Sequence, residues 1–214
     1  MTRSMATAAA SDWELLFAWR DGDADAGERL LTRYFEVLTR FFYNKVSSED
    51  VGDLVSDTFL ACVSSKDRMQ DTGRFRSLLF GIAMNKLRNY YRTQNKRRRE
   101  SSDFAELCVG EAAIVTPSAF VAQRQEIHVL VRALRRLSLV QQTVVELNVF
   151  EGMRGPEIAE LLAMPLPTVY THLRRGRKRL GEIVKELARD PQLAQTTMMG
   201  LETWATRIRA QINA

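Results

Sequence analysis

An all-α fold is predicted: two small helical domains joined by a flexible acidic linker, the second containing a helix-turn-helix. Three observations carry this expectation. Glycine and proline are scarce, 11 and 5 of 214 residues, and apolar residues recur at helical rather than alternating spacing. Residues 100–117 break that periodicity and hold four acids (Glu100, Asp103, Glu106, Glu111) without a Lys or Arg, as a solvated connector would. The stretch GPEIAELLAMPLPTVYTHLRRGRKRL, residues 155–180, then has the length and layout of two helices hinged by a tight turn. At this chain length two small cores are favoured over one large one.

In chain order, residues 11–21 form a short helix closed by a turn at Gly22. A longer helix follows, with a core stripe of Leu30, Leu31, Tyr34, Leu38, Phe41 and Phe42. Residues 49–64 form the next helix, setting Val51, Leu54, Val55, Thr58 and Cys62 on one side and the acids Asp50, Asp53 and Asp57 on another. The polar loop SSKDRMQDTG leads into a long helix over Arg74–Arg98, which should bury Phe75, Leu78, Leu79, Ile82, Leu87 and Tyr90. After the linker, helices resume near Ser118, and three or four short ones run to about Ala188. The remainder holds a weakly amphipathic helix with Leu201, Trp204, Ile208 and Ile212 on one side, expected to pack on the second domain. The expected boundaries are 11–99, 100–117 for the linker, 118–188 and an extension at 189–214.

Composition excludes several classes. Net charge is +5 and pI about 9.5, with the cations clustered, which points to a polyanionic partner. Cys62 and Cys108 match no metal-ligand spacing and are expected to stay reduced thiols. The opening MTRSMATAAA has no apolar stretch of secretory length, and no segment reaches 18 uninterrupted apolar residues. The expectation is therefore a cytoplasmic chain without membrane insertion. Paired carboxylates with a positioned base, a phosphate-cradling glycine loop and a metal cluster are all missing from the sequence, so no catalytic residue, metal or cofactor is expected.

The most informative stretch is MNKLRNYYRTQNKRRRE, residues 84–100. Asn85, Arg88 or Asn89, Arg92, Lys96 and Arg99 step by three and four along a stripe separate from the apolar one. Between Met84 and Arg99 lie the cations Lys86, Arg88, Arg92, Lys96, Arg97, Arg98 and Arg99 and no acid, so the isolated helix repels itself. An anionic strand would relieve this: phosphates neutralise the cations, and asparagine amides can read base edges. Helical spacing puts Phe75 and Phe80 in the core; the alternative is that they line a base pocket beside Met69.

In the helix-turn-helix, Ile158, Ala159, Leu161 and Leu162 form the inner face of the first helix, Met164 fills the turn, and Val169 and Leu173 pack the second. Pro167 suits a first helical turn, where its missing N–H is not needed. The second helix then presents Thr168, Tyr170, Thr171, His172, Arg174, Arg175, Arg177 and Lys178, a mixture fit for base edges and phosphates. His172 has no second ligand at metal spacing and reads as a polar contact.

Together, WRDGDADAGERLLTRYFEVLTRFF, EDVGDLVSDTFLACV, GRFRSLLFGIAMNKLRNYYRTQNKRR and LRRLSLVQQTVVELNVFEGMRGPEIAELLAMPLPTVYTHLRRGRKRL resemble, in order and spacing, the extracytoplasmic-function sigma factors of bacterial RNA polymerase over roughly residues 11–187. The resemblance implies a first domain (sigma region 2) that binds core polymerase and the minus-ten promoter element, and a second (sigma region 4) that binds the minus-35 element. It implies that Asp50, Asp53, Leu54, Asp57 and Phe59 face the beta-prime clamp. It assigns the minus-ten element to Arg74, Asn85, Arg88, Asn89, Arg92, Lys96 and Arg97. The minus-35 element falls to Thr168, Tyr170, Thr171, His172, Arg174, Arg175 and Lys178. The implied partners are core polymerase, through its beta-prime clamp and beta subunit, promoter DNA and, as a possible regulator, an anti-sigma factor. The chain departs from the family pattern at Leu78, where Trp is usual, at Ser56 and Asp57, where Gln-Glu is usual, at Pro167, where glycine is usual, and at Tyr170, often basic. The last two bear on which minus-35 sequence is read.

Opening about ten base pairs at roughly 1.4 kcal/mol per stacking step costs on the order of 14 kcal/mol. Capturing one or two bases returns only about 1 to 3 kcal/mol each. The chain therefore needs a large partner to melt DNA. The alternative is a helix-turn-helix regulator that binds duplex DNA without being a polymerase subunit, which leaves the acidic stripe and the first basic helix unused.

Overall fold

The computed structural model describes residues 10–65, 75–98, 125–188, 191–195 and 197–198. Among these the regular structure is helical, with no β-strand. The elements are α1 (Asp12–Arg20), α2 (Ala24–Tyr43), α3 (Val51–Ser65), α4 (Phe75–Arg98), α5 (Gln125–Arg135), α6 (Leu139–Val149), α7 (Gly155–Leu162) and α8 (Leu166–Leu187). The expected short helices of the second half thus end in a long one, α8 having 22 residues. The linker at 100–117 and the amphipathic stripe Leu201, Trp204, Ile208 and Ile212 lie outside the described residues.

Local chemistry sets the helix starts. Ser11 accepts from the Glu14 N–H at 3.3 Å while Glu14 reaches back to the Ser11 N–H at 2.7 Å, a reciprocal capping box on α1. Gly22 then turns the chain at φ +106, a value L-residues avoid, and Asp23 caps α2 through the Ala26 N–H at 3.1 Å. In α7, Glu157 accepts from the Arg154 N–H at 2.7 Å, and Pro156 sits in the first turn where no N–H is missed.

The first unit packs α1 and α3 against α2 and α4 against α3, with ring contacts from α2 to α4. Leu30, Tyr34, Leu38, Phe41 and Phe42 of α2 share one buried cluster with Leu79, Phe80 and Leu87 of α4 and Val55 and Cys62 of α3. Burial pushes the Cys62 thiol up to about 12, so it behaves as a small core residue. Phe80 is wholly buried and edge-on to Phe41 at 5.3 Å, and Phe75 is edge-on to Tyr34 at 5.4 Å. Both therefore belong to the core and not to a base pocket. Leu78 departs from the expected stripe: it is exposed, and Ala83 and Met84 are buried.

The second unit packs α8 against α5, α6 and α7. Gly176 of α8 meets α6 so closely that a Cβ there would lie 2.9 Å from Val145. No described helix is long and apolar enough to cross a membrane. The two units touch, and their buried apolar side chains form one contiguous cluster.

Candidate nucleic-acid interface

The α4 stripe is built as the sequence requires. Burying Leu79, Phe80, Ala83 and Leu87 on one side turns Asn85, Arg88, Asn89 and Arg92 outward, and all four are exposed. Lys96 and Arg97 continue the helix, but their side chains lie outside the described residues, as does Arg74. The cations are not all without acids. Lys86 pairs with Asp57 of α3 at 3.2 Å, a partner supplied by tertiary structure. Arg88 donates to the Leu162 carbonyl at 3.3 Å, at the C-terminal end of α7.

On α8 the first turns carry the residues expected to contact DNA. Tyr170, Arg174, Arg175, Arg177 and Lys178 are exposed, and Thr168, Thr171 and His172 are half-buried. Val169 and Leu180 anchor the opposite side in the core. Thr171 donates its hydroxyl to the Pro167 carbonyl at 2.9 Å, and Arg177 donates to Asn148 at 3.3 Å. The Tyr170 ring lies across the start of α7, where a Cβ on Gly155 would meet it at 2.8 Å. Partial burial, with the Arg175 charge second, holds the His172 pKa below its ordinary value.

The acidic face of α3 is only partly as expected. Asp53 and Asp57 are exposed. Asp50 is half-buried and accepts from the Tyr90 hydroxyl at 2.8 Å and from Ser47. Leu54 is a correction: it points into the core, because the Val51, Leu54, Val55, Thr58 stripe that buries α3 uses that position inward. Phe59 is half-buried and stacks on Phe35 at 6.5 Å. Around it Phe35 (54% exposed), Leu60 (65%) and Val63 (41%) form an apolar patch beside the acids. The sequence reading missed this patch; its signal was Leu60 and Val63 at i and i+3, off the core stripe.

Between the two units lies a polar contact that no pattern in the sequence singled out. Lys45 is wholly buried and pairs with Glu146 of α6, while Arg40 of α2 pairs with Glu151 at 2.8 Å. The stripes on α4 and α8 are suited to phosphate and base edges. The described residues hold no group of three or more His, Cys, Asp or Glu able to bind a metal.

Comparison with known proteins gives two family matches: Sigma-70 region 2 over residues 28–97 and Sigma-70 region 4 over residues 127–180. The RNA polymerase sigma factor CnrH of Cupriavidus metallidurans is 31% identical over 144 residues, covering 65% of this chain and 75% of that protein. The RNA polymerase sigma factor NccH of Alcaligenes xylosoxydans xylosoxydans is 29% identical over 169 residues, covering 77% and 89%. Among solved structures, CnrH in complex with the cytosolic domain of CnrY has a TM-score of 0.61 at 24% identity, covering 83% of this chain and 99% of that one. The sigma factor RpoE of Bartonella quintana, in complex with the anti-sigma factor NepR, has a TM-score of 0.63 at 21% identity, covering 75% and 97%. These last two likenesses concern the fold.

Proposed function

The chain belongs to the extracytoplasmic-function sigma factors of bacterial RNA polymerase, and from that premise we propose how its residues divide the work of initiation. The α4 stripe, Asn85 and Asn89 with Arg88 and Arg92, takes the displaced strand of the minus-ten element. Lys96, Arg97 and Arg74 extend the phosphate path. The early α8 face, Thr168, Tyr170, Thr171, His172, Arg174, Arg175 and Lys178, takes the minus-35 duplex. Asp50, Asp53 and Asp57 meet a basic clamp surface, and Phe59 with Phe35, Leu60 and Val63 supplies the apolar contact.

The observation that carries this reading is the outward set of two amides and two arginines on α4, directly opposite a fully buried apolar face. A solvated helix surface would gain nothing from cations that repel one another. As a sigma factor the chain is not a free-standing regulator, and it acts on DNA through the polymerase, with no chemistry of its own. Its site of action is the cytoplasm, where polymerase and promoters are. The solved relatives were captured with CnrY and with an anti-sigma factor, and a restraining protein of that class is the natural regulator here.

The experiment is comigration with core polymerase on a sizing column, using wild-type chain and Leu60→Glu. Wild type is expected to elute with core, and the variant, with a charge set in the apolar patch, to elute alone. Equal comigration of both would refute the assignment of the patch.

A further inference from the structure

We propose that Gly155 and Tyr170 work as a pair: the missing side chain of Gly155 lets the Tyr170 ring fold back over the start of α7, so that Tyr170 grips the DNA backbone and reads no base. This rests on the assignment of α8 to the minus-35 duplex and changes what one residue does there.

Position along the chain puts Tyr170 among base readers. It lies early in α8 (Leu166–Leu187), and in a helix-turn-helix the early residues of the second helix reach base edges while the first helix crosses the backbone. Geometry puts its ring elsewhere. Side chains lean toward the N-terminal end of their helix, and here the lean carries the ring to Gly155, the first residue of α7. A Cβ on Gly155 would lie 2.8 Å from Cζ, 2.9 Å from Cε1 and 2.9 Å from the hydroxyl oxygen of Tyr170. Carbon atoms pack at about 3.5 to 4.0 Å, so any larger residue at 155 must push the outer edge of the ring away. Gly155 is buried and is not one of the glycines at positive φ, so the backbone there does not call for glycine. The ring does.

One side of the ring rests on α7, yet Tyr170 remains 52% exposed and can meet a ligand. The start of α7 is where the first helix of such a motif meets the DNA backbone. Glu157 already accepts from the Arg154 N–H at 2.7 Å, and the exposed Arg154 side chain offsets its charge from 3.4 Å. This turn therefore offers an anion little net attraction of its own, and the hydroxyl laid across it supplies a donor. A phenol O–H donates to a phosphate oxygen without adding charge. Phosphates are alike at every base pair, so the contact sets register and affinity. Discrimination among bases then falls to the exposed Arg174 and Arg175.

The test uses holoenzyme assembled from core polymerase and the full chain, on promoter fragments randomised across the minus-35 element. Affinity and selected sequence are read for each variant. Tyr170→Phe keeps the ring and removes the hydroxyl; it should weaken binding about tenfold on every sequence and leave the selected sequence unchanged. Gly155→Ala should weaken binding by a similar factor, because the far edge of an exposed ring yields more readily than a helix start. It should cause no further loss in a Tyr170→Ala chain. Equal losses in both backgrounds would place the fault in α7 itself and overturn the pairing. If Gly155→Ala does not fold alone, Tyr170→Ala must restore folding, and failure of that rescue overturns the pairing as well. A Tyr170→Phe chain that binds as wild type does, or whose base preference shifts, would overturn the backbone role and leave the sigma-factor reading standing. Wild-type holoenzyme that selects no sequence would overturn that reading and this inference with it.

Discussion

Lys45, just beyond α2, and Glu146, in the last turn of α6, form an ion pair across 101 positions of sequence with the ammonium wholly shielded from solvent. Burial pulls the Lys45 pKa down and Glu146 pulls it back up, so the two depend on each other. A second pair, Arg40 with Glu151, lies alongside it; burial raises the Glu151 pKa and Arg40 opposes the rise. These pairs and the exposed basic stripes of α4 and α8 are made of the same residue types in opposite surroundings, and salt should tell them apart.

Buried pairs are weakly screened, whereas phosphate contacts release counterions. Raising salt from about 0.1 M to 1 M shortens the screening length from about 10 Å to 3 Å, yet the free chain should keep its scattering profile. Binding to single-stranded minus-ten DNA should fall with a log–log slope near −3.5 if five cations touch phosphates at about −0.7 each. A slope near zero in a filter-binding titration would remove the stripe from the strand.

Asn85 is exposed on α4 and takes no part in the core. Asn85→Ala should therefore lower promoter opening, followed by the fluorescence of a base analogue in the minus-ten element. Loss of one amide-to-base-edge contact is worth about 1 to 3 kcal/mol. Polymerase binding should be unchanged, and a variant that no longer bound polymerase would contradict the role.

His172 gives a pH signature. Its depressed pKa leaves it neutral at neutral pH in the free chain. Unfolding restores the ordinary value, so the stability it contributes is present above about 6.5 and lost as pH falls through the lower folded pKa. A DNA phosphate at its side favours the charged form. Duplex affinity should therefore rise as pH drops through the bound-state pKa, while the stability of the free domain falls. Fluorescence anisotropy at a series of pH values should show this for wild type and not for His172→Gln; identical profiles would take His172 off the DNA.

Ala163 caps α7 at φ 52 and ψ 48, in the left-handed region that glycine enters freely. An L side chain there costs roughly 1 to 2 kcal/mol, and glycine returns part of that in chain entropy. Ala163→Gly should thus raise stability by about 0.5 to 1 kcal/mol in urea unfolding. A decrease would show that the methyl group packs usefully.

Much of this was legible in the sequence. The α3 core stripe Val51, Leu54, Val55, Thr58 and Cys62 is buried as its spacing demands, and so are Ile158, Leu162 and Val169 of the helix-turn-helix. The α4 failures have a physical cause: Leu78 to Met84 is apolar almost all round, so periodicity cannot choose which side faces inward. Leu54 is expected both in the core and on a partner surface, and the chain by itself buries it. The contact between domains was invisible because Lys45 and Glu146 each read as solvated charges until folding brings them together.

The most direct measurement is single-round transcription from linear promoter fragments by core polymerase with and without the purified chain. The account predicts discrete start sites that need the chain, weaken with Asn85→Ala, and recover on a template already unpaired across the minus-ten element. Transcripts identical to those of core alone, or an Asn85→Ala defect unchanged by pre-melting, would contradict it.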